Sequence, residues 1–339
     1  MTSKFDNIQR ILISRTDSIG DVALTLPICV WIRQQFPNAE LIYLGSAYTK
    51  PIITKFAAID TFEDWSFIQN LEIQQQIDYL KQKNIDVIIH VFPNKKIAHI
   101  AKKAGIPIRI GTAHRSFHWF NCNHRVHFTR KRSDLHESQL NFNLLKPLGL
   151  KNIPSLKEIE HLIDNQFLPS KVKLQEYIEL LFVKHMQTII LHPKSQGSAL
   201  EWPIENYFDL ALRLADKDYQ VIFSGTEAEG LKFRNTIPEH KNILDFTGKL
   251  SLDEFMVVIQ NARALVACST GPLHIAGLYG THAIGLFSPR KPIHPGRWRP
   301  LGKQVSIVVF DEHCPNCNAG KHCTCIADIA VSDVEALIS

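Results

Sequence analysis

Residues Cys268 to Gly277 read Cys-Ser-Thr-Gly-Pro-Leu-His-Ile-Ala-Gly and follow a short apolar run, Ala264-Leu265-Val266-Ala267. The run predicts a buried parallel strand, and Pro272 suits the first turn of a following helix, where its missing N–H costs nothing. Between them Ser269, Thr270 and Gly271 set two hydroxyls beside the free N–H groups of a helix start, a combination that binds a diphosphate. An ordinary capped helix uses the same residue types without a ligand. His274 falls one turn into the helix, where it either reaches that loop or packs inward.

A second kind of chemistry is spelled near the start of the chain. Ile11-Leu12-Ile13-Ser14 predicts a strand, Thr16 to Asp21 a polar loop and Val22 to Gln35 a helix. Asp17 and Asp21 are two carboxylates in one strand-to-helix loop, with Ser18 and Gly20 between them, and a base that accepts a hydroxyl proton belongs in such a place. Asp is equally favoured as a simple helix cap. Two further strands, Thr188 to Leu191 and Tyr219 to Phe223, lead into polar loops: His192 to Pro203, with Lys194, Ser195 and Ser198, and Ser224 to Glu229. Lys194 is the only lysine in its loop and would counter diphosphate charge.

Four cysteines close the list of reactive groups. Cys314, Cys317, Cys323 and Cys325 form a C-x2-C-x5-C-x-C pattern within residues 313–325. Thiolates at this spacing point to a structural zinc or iron ion, since a closed tetrahedral site leaves no open position for catalysis; free thiols or a disulfide are the alternative. Cys29, Cys122 and Cys268 stand alone and read as inert.

The elements that must position these groups alternate along the chain. In the first half, strands at Ile11 to Ser14, Leu41 to Leu44, Val87 to Val91 and Arg109 to Ile110 alternate with helices at Val22 to Gln35 and Glu72 to Lys83. A helix at His136 to Leu148 ends at Gly149, and the polar stretch Lys151 to Lys173 reads as a connection dividing the chain into 1–165 and 166–339. The second half repeats the alternation, with helices at Ile204 to Asp216, Glu227 to Asn235, Leu252 to Asn261 and Pro272 to Tyr279 between strands ending with Ala283 to Phe287. Such alternation implies α/β units with parallel, doubly wound sheets, whose sites lie at the carboxyl ends of the strands.

Composition agrees with two cores: 339 residues, 45% hydrophobic. No run approaches the roughly 20 apolar residues of a membrane span, and the polar start Met1 to Asp6 has no signal-like apolar stretch, which implies a cytoplasmic protein. The net charge of +5 suits an anionic substrate or membrane surface and argues against nucleic acid, whose binders are more densely basic. Arg115, Arg125, Arg130, Lys131 and Arg132 interleave with Phe117, Trp119, Phe120 and Phe128 between His114 and Arg132, a segment expected to be a loop able to meet an anionic saccharide or the membrane carrying it.

Four motifs in order resemble the glycosyltransferase family that contains the lipopolysaccharide heptosyltransferases: Ser18-Ile19-Gly20-Asp21-Val22 through Thr25-Leu26-Pro27, Leu135-His136-Glu137-Ser138, Gly197-Ser198-Ala199 through Trp202-Pro203, and Ser269-Thr270-Gly271-Pro272 with His274 and Ala276. The resemblance, glycosyltransferase family 9, implies the GT-B fold of two facing Rossmann-like domains, the acceptor held by the first and the nucleotide sugar by the second. It implies an inverting transfer of heptose from ADP-heptose to a lipopolysaccharide-core saccharide, with Asp21, or Asp17, as the base and no catalytic metal. Ser18, Gly20, Arg115 and Arg130 would face the acceptor. Lys194, Ser195, Ser198, Ser269, Thr270, Gly271 and His274 would hold the donor, and Glu229 matches a position near its ribose. Leu200 stands where many members carry lysine and Ser269 where aspartate is common, so the donor pocket has less charge than usual. The absence of an Asp-x-Asp pair in the second-half loops that follow strand ends fits a diphosphate held without metal. Two other readings stay open: a non-catalytic sugar-nucleotide-binding protein, which would not need Asp21, and a transferase that modifies protein. A nucleotide-sugar epimerase would need a G-x-G-x-x-G after a strand, and none is found. An enzyme with a lipid-linked acceptor would work at the cytoplasmic face of the inner membrane.

Overall fold

The computed structural model describes residues 8–130, 133–175, 178–179 and 187–338. The polar start, Lys131 and Arg132 thus lie outside the described residues. The chain divides into two compact units, Met1–Leu168 and Pro169–Ser339.

In the first unit six parallel strands, β1 (Arg10–Ser14), β2 (Glu40–Gly45), β3 (Thr61–Asp64), β4 (Val87–His90), β5 (Ile108–Thr112) and β6 (His124–Val126), lie in the order β3-β2-β1-β4-β5-β6. Both faces are covered, which is why the central strands are runs of Ile, Leu and Val buried at nearly every position. The helices are α1 (Ile19–Ala23), α2 (Leu26–Gln35), α3 (Lys50–Ile53), α4 (Trp65–Ile68), α5 (Ile73–Gln82), α6 (Lys95–Lys103), α7 (Ser116–Asn121), α8 (Glu137–Phe142) and α9 (Leu156–Leu162).

The helix expected from Val22 to Gln35 is two. It starts earlier, at Ile19, and breaks at Leu24-Thr25, where the Thr25 hydroxyl donates to the Asp21 carbonyl (2.8 Å) and Pro27 opens α2. The helix expected to run to Leu148 stops at Phe142 and continues as a 3₁₀ segment, Asn143–Leu148, that contains Pro147. The stretch read as plain connection carries α9, started by a Ser155–Glu158 capping box and packed on α2 and α8. The basic segment from His114 is not a loop, because α7 and β6 lie within it.

The second unit has the same topology. Strands β7 (Thr188–His192), β8 (Gln220–Phe223), β9 (Ile243–Asp245), β10 (Ala264–Cys268), β11 (His282–Leu286) and β12 (Val305–Val308) run in the order β12-β11-β10-β7-β8-β9. The helix expected from Glu227 to Asn235 is a four-residue turn, Glu227–Gly230, followed by a 3₁₀ turn at Arg234–Thr236. Helix Gly271–Tyr279 is fixed in depth, because a Cβ on Gly277 would collide with the Leu301 carbonyl, and it ends at Gly280 with φ +78. In each sheet the strand order reverses between two central neighbours, β1 and β4 or β7 and β10, and ligand sites of such sheets form at the carboxyl ends of those strands.

Candidate active site

In the first unit the loop after β1 lies at that reversal and is built around Arg15, 3% exposed. Arg15 Nε donates to Asp17 Oδ1 (2.7 Å), one terminal nitrogen donates to Asp21 Oδ1, and Nη1 lies 3.7 Å from Glu137 Oε1. Burial alone would lower its pKa, but Asp17, Asp21 and Glu137 together outweigh burial and raise it, so the guanidinium is a permanent cation. Burial, and then the charge of Asp21, push Asp17 up to about 6 against the opposing pull of Arg15. Asp21 is not the helix cap. Ser18 is the N-cap residue and Asp21 sits in the first turn, its Oδ2 accepting from the Ser18 hydroxyl at 2.6 Å. From the far side the Tyr48 hydroxyl donates to the Asp17 carbonyl and the Ser46 hydroxyl to the Thr16 carbonyl, both at 2.7 Å, which pins the loop to the end of β2.

Glu137 is where the mid-chain motif enters. His136 caps α8, its ring accepting from the Ser138 N–H at 3.3 Å, so Glu137 and Asn141 fall on one helix face, four residues apart. Glu137 accepts from Arg130 Nε at 2.8 Å, while Asn141 accepts from Arg130 Nη2 (3.0 Å) and donates to the Leu24 carbonyl (3.2 Å) at the break between α1 and α2. Sequence reading missed Arg15, Glu137 and Asn141 as site residues. The motif was visible, but its partner lies 122 positions away. Of the residues assigned to an acceptor, Ser18 and Gly20 belong to this loop. Arg130 supports it through Glu137, whereas Arg115 is exposed at the start of α7.

At the reversal of the second sheet, Thr270 is the N-cap residue of helix Gly271–Tyr279, yet no side chain caps that helix. Thr270 Oγ1 and His274 Nδ1 are buried without a hydrogen-bond partner among the described residues. Burial lowers His274 to about 4, so it is a neutral ring at physiological pH, with its Nδ1 left without a partner among the described residues. Ser198 joins the neighbouring loop to this one, donating to the Ser195 carbonyl (2.7 Å) and more weakly to that of Ser269 (3.4 Å). Lys194 and Ser195 are engaged differently from expectation: both bind Glu201, Lys194 Nζ at 2.9 Å and the Ser195 hydroxyl at 3.0 Å. Glu229 is not a solvated glutamate. It is 4% exposed and closes a capping box, its Oε2 accepting from Thr226 N (2.7 Å) and Thr226 Oγ1 (2.9 Å). His192, at the end of β7, pairs with the Ser224 hydroxyl at 3.0 Å, and burial holds its pKa below the usual value.

The four late cysteines gather, their sulfurs all within 4.8 Å of one another. A tetrahedral thiolate site with metal–sulfur bonds of about 2.3 Å needs sulfurs about 3.8 Å apart, so the donor set fits a zinc or iron ion. Neighbouring cysteines and the Cys325 backbone N–H lower Cys323 to about 7. Ser288, just after β11, lies 3.3 Å from Cys317 Sγ, and Arg290 donates to the Gly320 carbonyl at 3.1 Å, so the cluster is tied to the β11 exit loop. Burial pushes the isolated thiols Cys122 and Cys268 up to about 12 and about 11, in keeping with inert packing residues.

Two halves of one Rossmann-like topology, a buried-arginine carboxylate cluster in one and an open helix start in the other, define a GT-B type α/β protein. The model of glycosyltransferase family 9 (heptosyltransferase) matches residues 74–326, and the chain belongs to that family and is a glycosyltransferase. The chain is 22% identical over 304 residues to lipopolysaccharide heptosyltransferase 3 of Escherichia coli K12, covering 84% of this chain and 83% of that one. Its fold matches E. coli ADP-heptose lps heptosyltransferase II with a TM-score of 0.73 at 16% identity, over 97% of each chain. A more distant match, TM-score 0.55 at 12% identity over 98% of this chain and 75% of the other, is the iron-containing dodecameric glycosyltransferase TibC of enterotoxigenic E. coli H10407.

Proposed function

We propose that the protein transfers heptose from ADP-heptose to a hydroxyl of an anionic, lipopolysaccharide-core saccharide, with inversion at the anomeric carbon. The observation that carries this reading is the pair of switch-point sites with opposite chemistry: held carboxylates after β1, and unpartnered hydrogen-bonding groups after β10. Asp21 takes the proton of the acceptor hydroxyl, whose oxygen then attacks the anomeric carbon while the bond to the diphosphate breaks. Ser18 and Arg15 each hold one oxygen of Asp21, which fixes the orientation of the carboxylate. Asp17 is the second carboxylate of this site, and Ser18, Gly20, Arg115 and Arg130 lie on the acceptor side.

The departing diphosphate collects charge, which the N–H groups of Gly271 and the next turn, the Thr270 hydroxyl and the neutral His274 ring would stabilise. Ser269, Ser198 and Ser195 border the same loop. Lys194 reaches the diphosphate by leaving Glu201, and Glu229 stands on the ribose side. No step requires a catalytic metal, so EDTA leaves turnover intact; loss of activity restored by magnesium would contradict this. The four-cysteine cluster is proposed to hold zinc or iron as a structural ion, with elemental analysis of chelator-free protein as the check. A lipid-linked acceptor places the enzyme at the cytoplasmic face of the inner membrane, in peripheral contact. Among the described residues no helix is long and apolar enough to cross a membrane.

The reading is tested by a thermal-shift screen against ADP-, GDP- and UDP-sugars, since a ligand that binds only the folded state raises the midpoint. ADP-heptose should give the largest rise, and incubation with a core saccharide should add one heptose of inverted configuration. A larger shift with a UDP- or GDP-sugar would overturn the donor assignment. Binding without turnover on any saccharide would favour a non-catalytic protein or a transferase acting on protein.

A further inference from the structure

Residues 87–133 contain ten Lys and Arg and no Asp or Glu, so the +5 of the chain is the sum of +10 in this segment and −5 everywhere else. The fold gathers much of that charge on one surface. In α6 the buried side is Ile97, Ala98, Ile100 and Ala101, leaving Lys95, His99, Lys102 and Lys103 exposed on the other. Helix α7 packs beside it, and Lys102 Nζ donates to the Phe120 carbonyl at 2.8 Å, which joins the two helices. There the polarity of exposure is inverted: His118 and Asn121 point inward, while Trp119 is 59% and Phe120 75% exposed. The Trp119 indole is held by donation to the Ala113 carbonyl (2.9 Å), with the Arg125 guanidinium 5.5 Å over its ring. Past Arg125 the basic face continues into an open groove of about 620 Å³ lined also by His127 and Lys146. Among the described residues none of Lys95, Lys102, Lys103, Arg115 and Arg125 is paired with a carboxylate.

We infer that the α6–α7 face is a docking surface for an anionic phospholipid bilayer. Unpaired cations are drawn to the negative surface potential of such a leaflet, and Trp and Phe side chains partition into its headgroup boundary, where a rigidly held ring costs little further ordering. A nucleic acid would also answer the charge, but the two large exposed aromatics are consecutive residues of one helix and the Arg125 guanidinium already lies over the Trp119 ring, which matches a headgroup interface better than a platform for successive bases. The inference deepens the peripheral-contact part of the proposed function by naming the surface, and it does not depend on which sugar is transferred.

The test is flotation of the full chain with vesicles of phosphatidylglycerol and phosphatidylethanolamine, against vesicles of phosphatidylcholine alone, at low and high salt. The wild type should float with the anionic vesicles only, and salt should weaken the association. Lys102→Glu with Lys103→Glu should lower the bound fraction about tenfold, and Trp119→Ser with Phe120→Ser should lower it while leaving the salt dependence in place. The midpoint rise on adding ADP should be unchanged in both variants, which certifies their fold and separates this test from that of the transferase reading. Equal flotation with neutral vesicles, wild-type flotation by both variants, or displacement from vesicles by a short RNA duplex at equal charge would overturn the proposal.

Discussion

The loops after β1 and after β10 occupy equivalent places in two sheets of the same topology, yet they are opposites in how their polar groups are spent. After β1 every charge has a partner: Arg15, Asp17, Asp21, Glu137 and Arg130 form one connected set around a cation that is 3% exposed. After β10 there is no charge, and two buried polar atoms, Thr270 Oγ1 and His274 Nδ1, have no hydrogen-bond partner among the described residues. A group that moves a proton must be aimed and tuned before substrate arrives, which takes a saturated network. A group that holds a departing anion is most useful when its donors are not already in use. The comparison therefore assigns cost as well as function: the first loop stores stability, the second gives it up.

That division can be broken or sharpened by mutation, beginning where the effect is largest. Arg15→Met should cost about 3–5 kcal/mol of unfolding free energy in urea, because it takes the shared cation from buried Glu137 and from the partly buried Asp17 and Asp21, and turnover should fall with it. Restoration of wild-type stability in a variant lacking Arg15 alone would show that the carboxylates do not need the cation.

Acid should act next. Burial lowers His90 to about 3 and His274 to about 4. The unfolded chain takes up protons near 6.5 while the folded chain does not, so their stabilising contribution is present above 6.5 and is lost as pH falls toward 4 and 3. Each neutral buried histidine then costs up to about 1.4 kcal/mol per pH unit. Asp17 acts in the opposite sense. Raised to about 6, it favours the fold below the unfolded value of 3.8 and loses that contribution as pH rises through 6. Two histidines against one aspartate leave net acid destabilisation. Unfolding midpoints between pH 7 and 5 measure it, and His90→Gln should flatten the slope.

Thr270→Val should do the reverse of Arg15→Met. Removing an unsatisfied hydroxyl should leave the free protein as stable or slightly more so, while ADP affinity drops about five- to tenfold, about 1 kcal/mol, in calorimetry. A large loss of stability would mean that the loop is not open as described. The smallest effect is expected at the cysteines. Cys314→Ser with Cys323→Ser should lower the melting temperature by a few degrees and leave ADP affinity largely intact, since the cluster touches the β11 exit loop and not the β10 loop.

Much of this was legible in the sequence because it is local. Buried parallel strands announce themselves as apolar runs, and the loops carrying Asp21 and Thr270 followed two of them. What escaped was set by contacts across distance or by side chains competing with the backbone. The break between α1 and α2 rests on the Thr25 hydroxyl bond together with Pro27 in the first turn of α2, and the basic segment hid a helix because outward Trp119 and Phe120 erase the amphipathic pattern that reveals α6. β3, β6, β9 and β12 were missed as short strands, at most four residues. Glu137 was quoted in a motif without a role, since nothing nearby signals an ion partner at Arg15.

The central claim is that the saturated loop does proton transfer and the open loop does binding. The most direct measurement is Asp21→Asn, assayed in parallel for ADP-heptose binding by thermal shift and for heptose transfer to a core saccharide. The account predicts an unchanged midpoint rise with turnover reduced about 10²- to 10⁴-fold; turnover within a few fold of wild type, or a loss of donor binding equal to the loss of turnover, would contradict it.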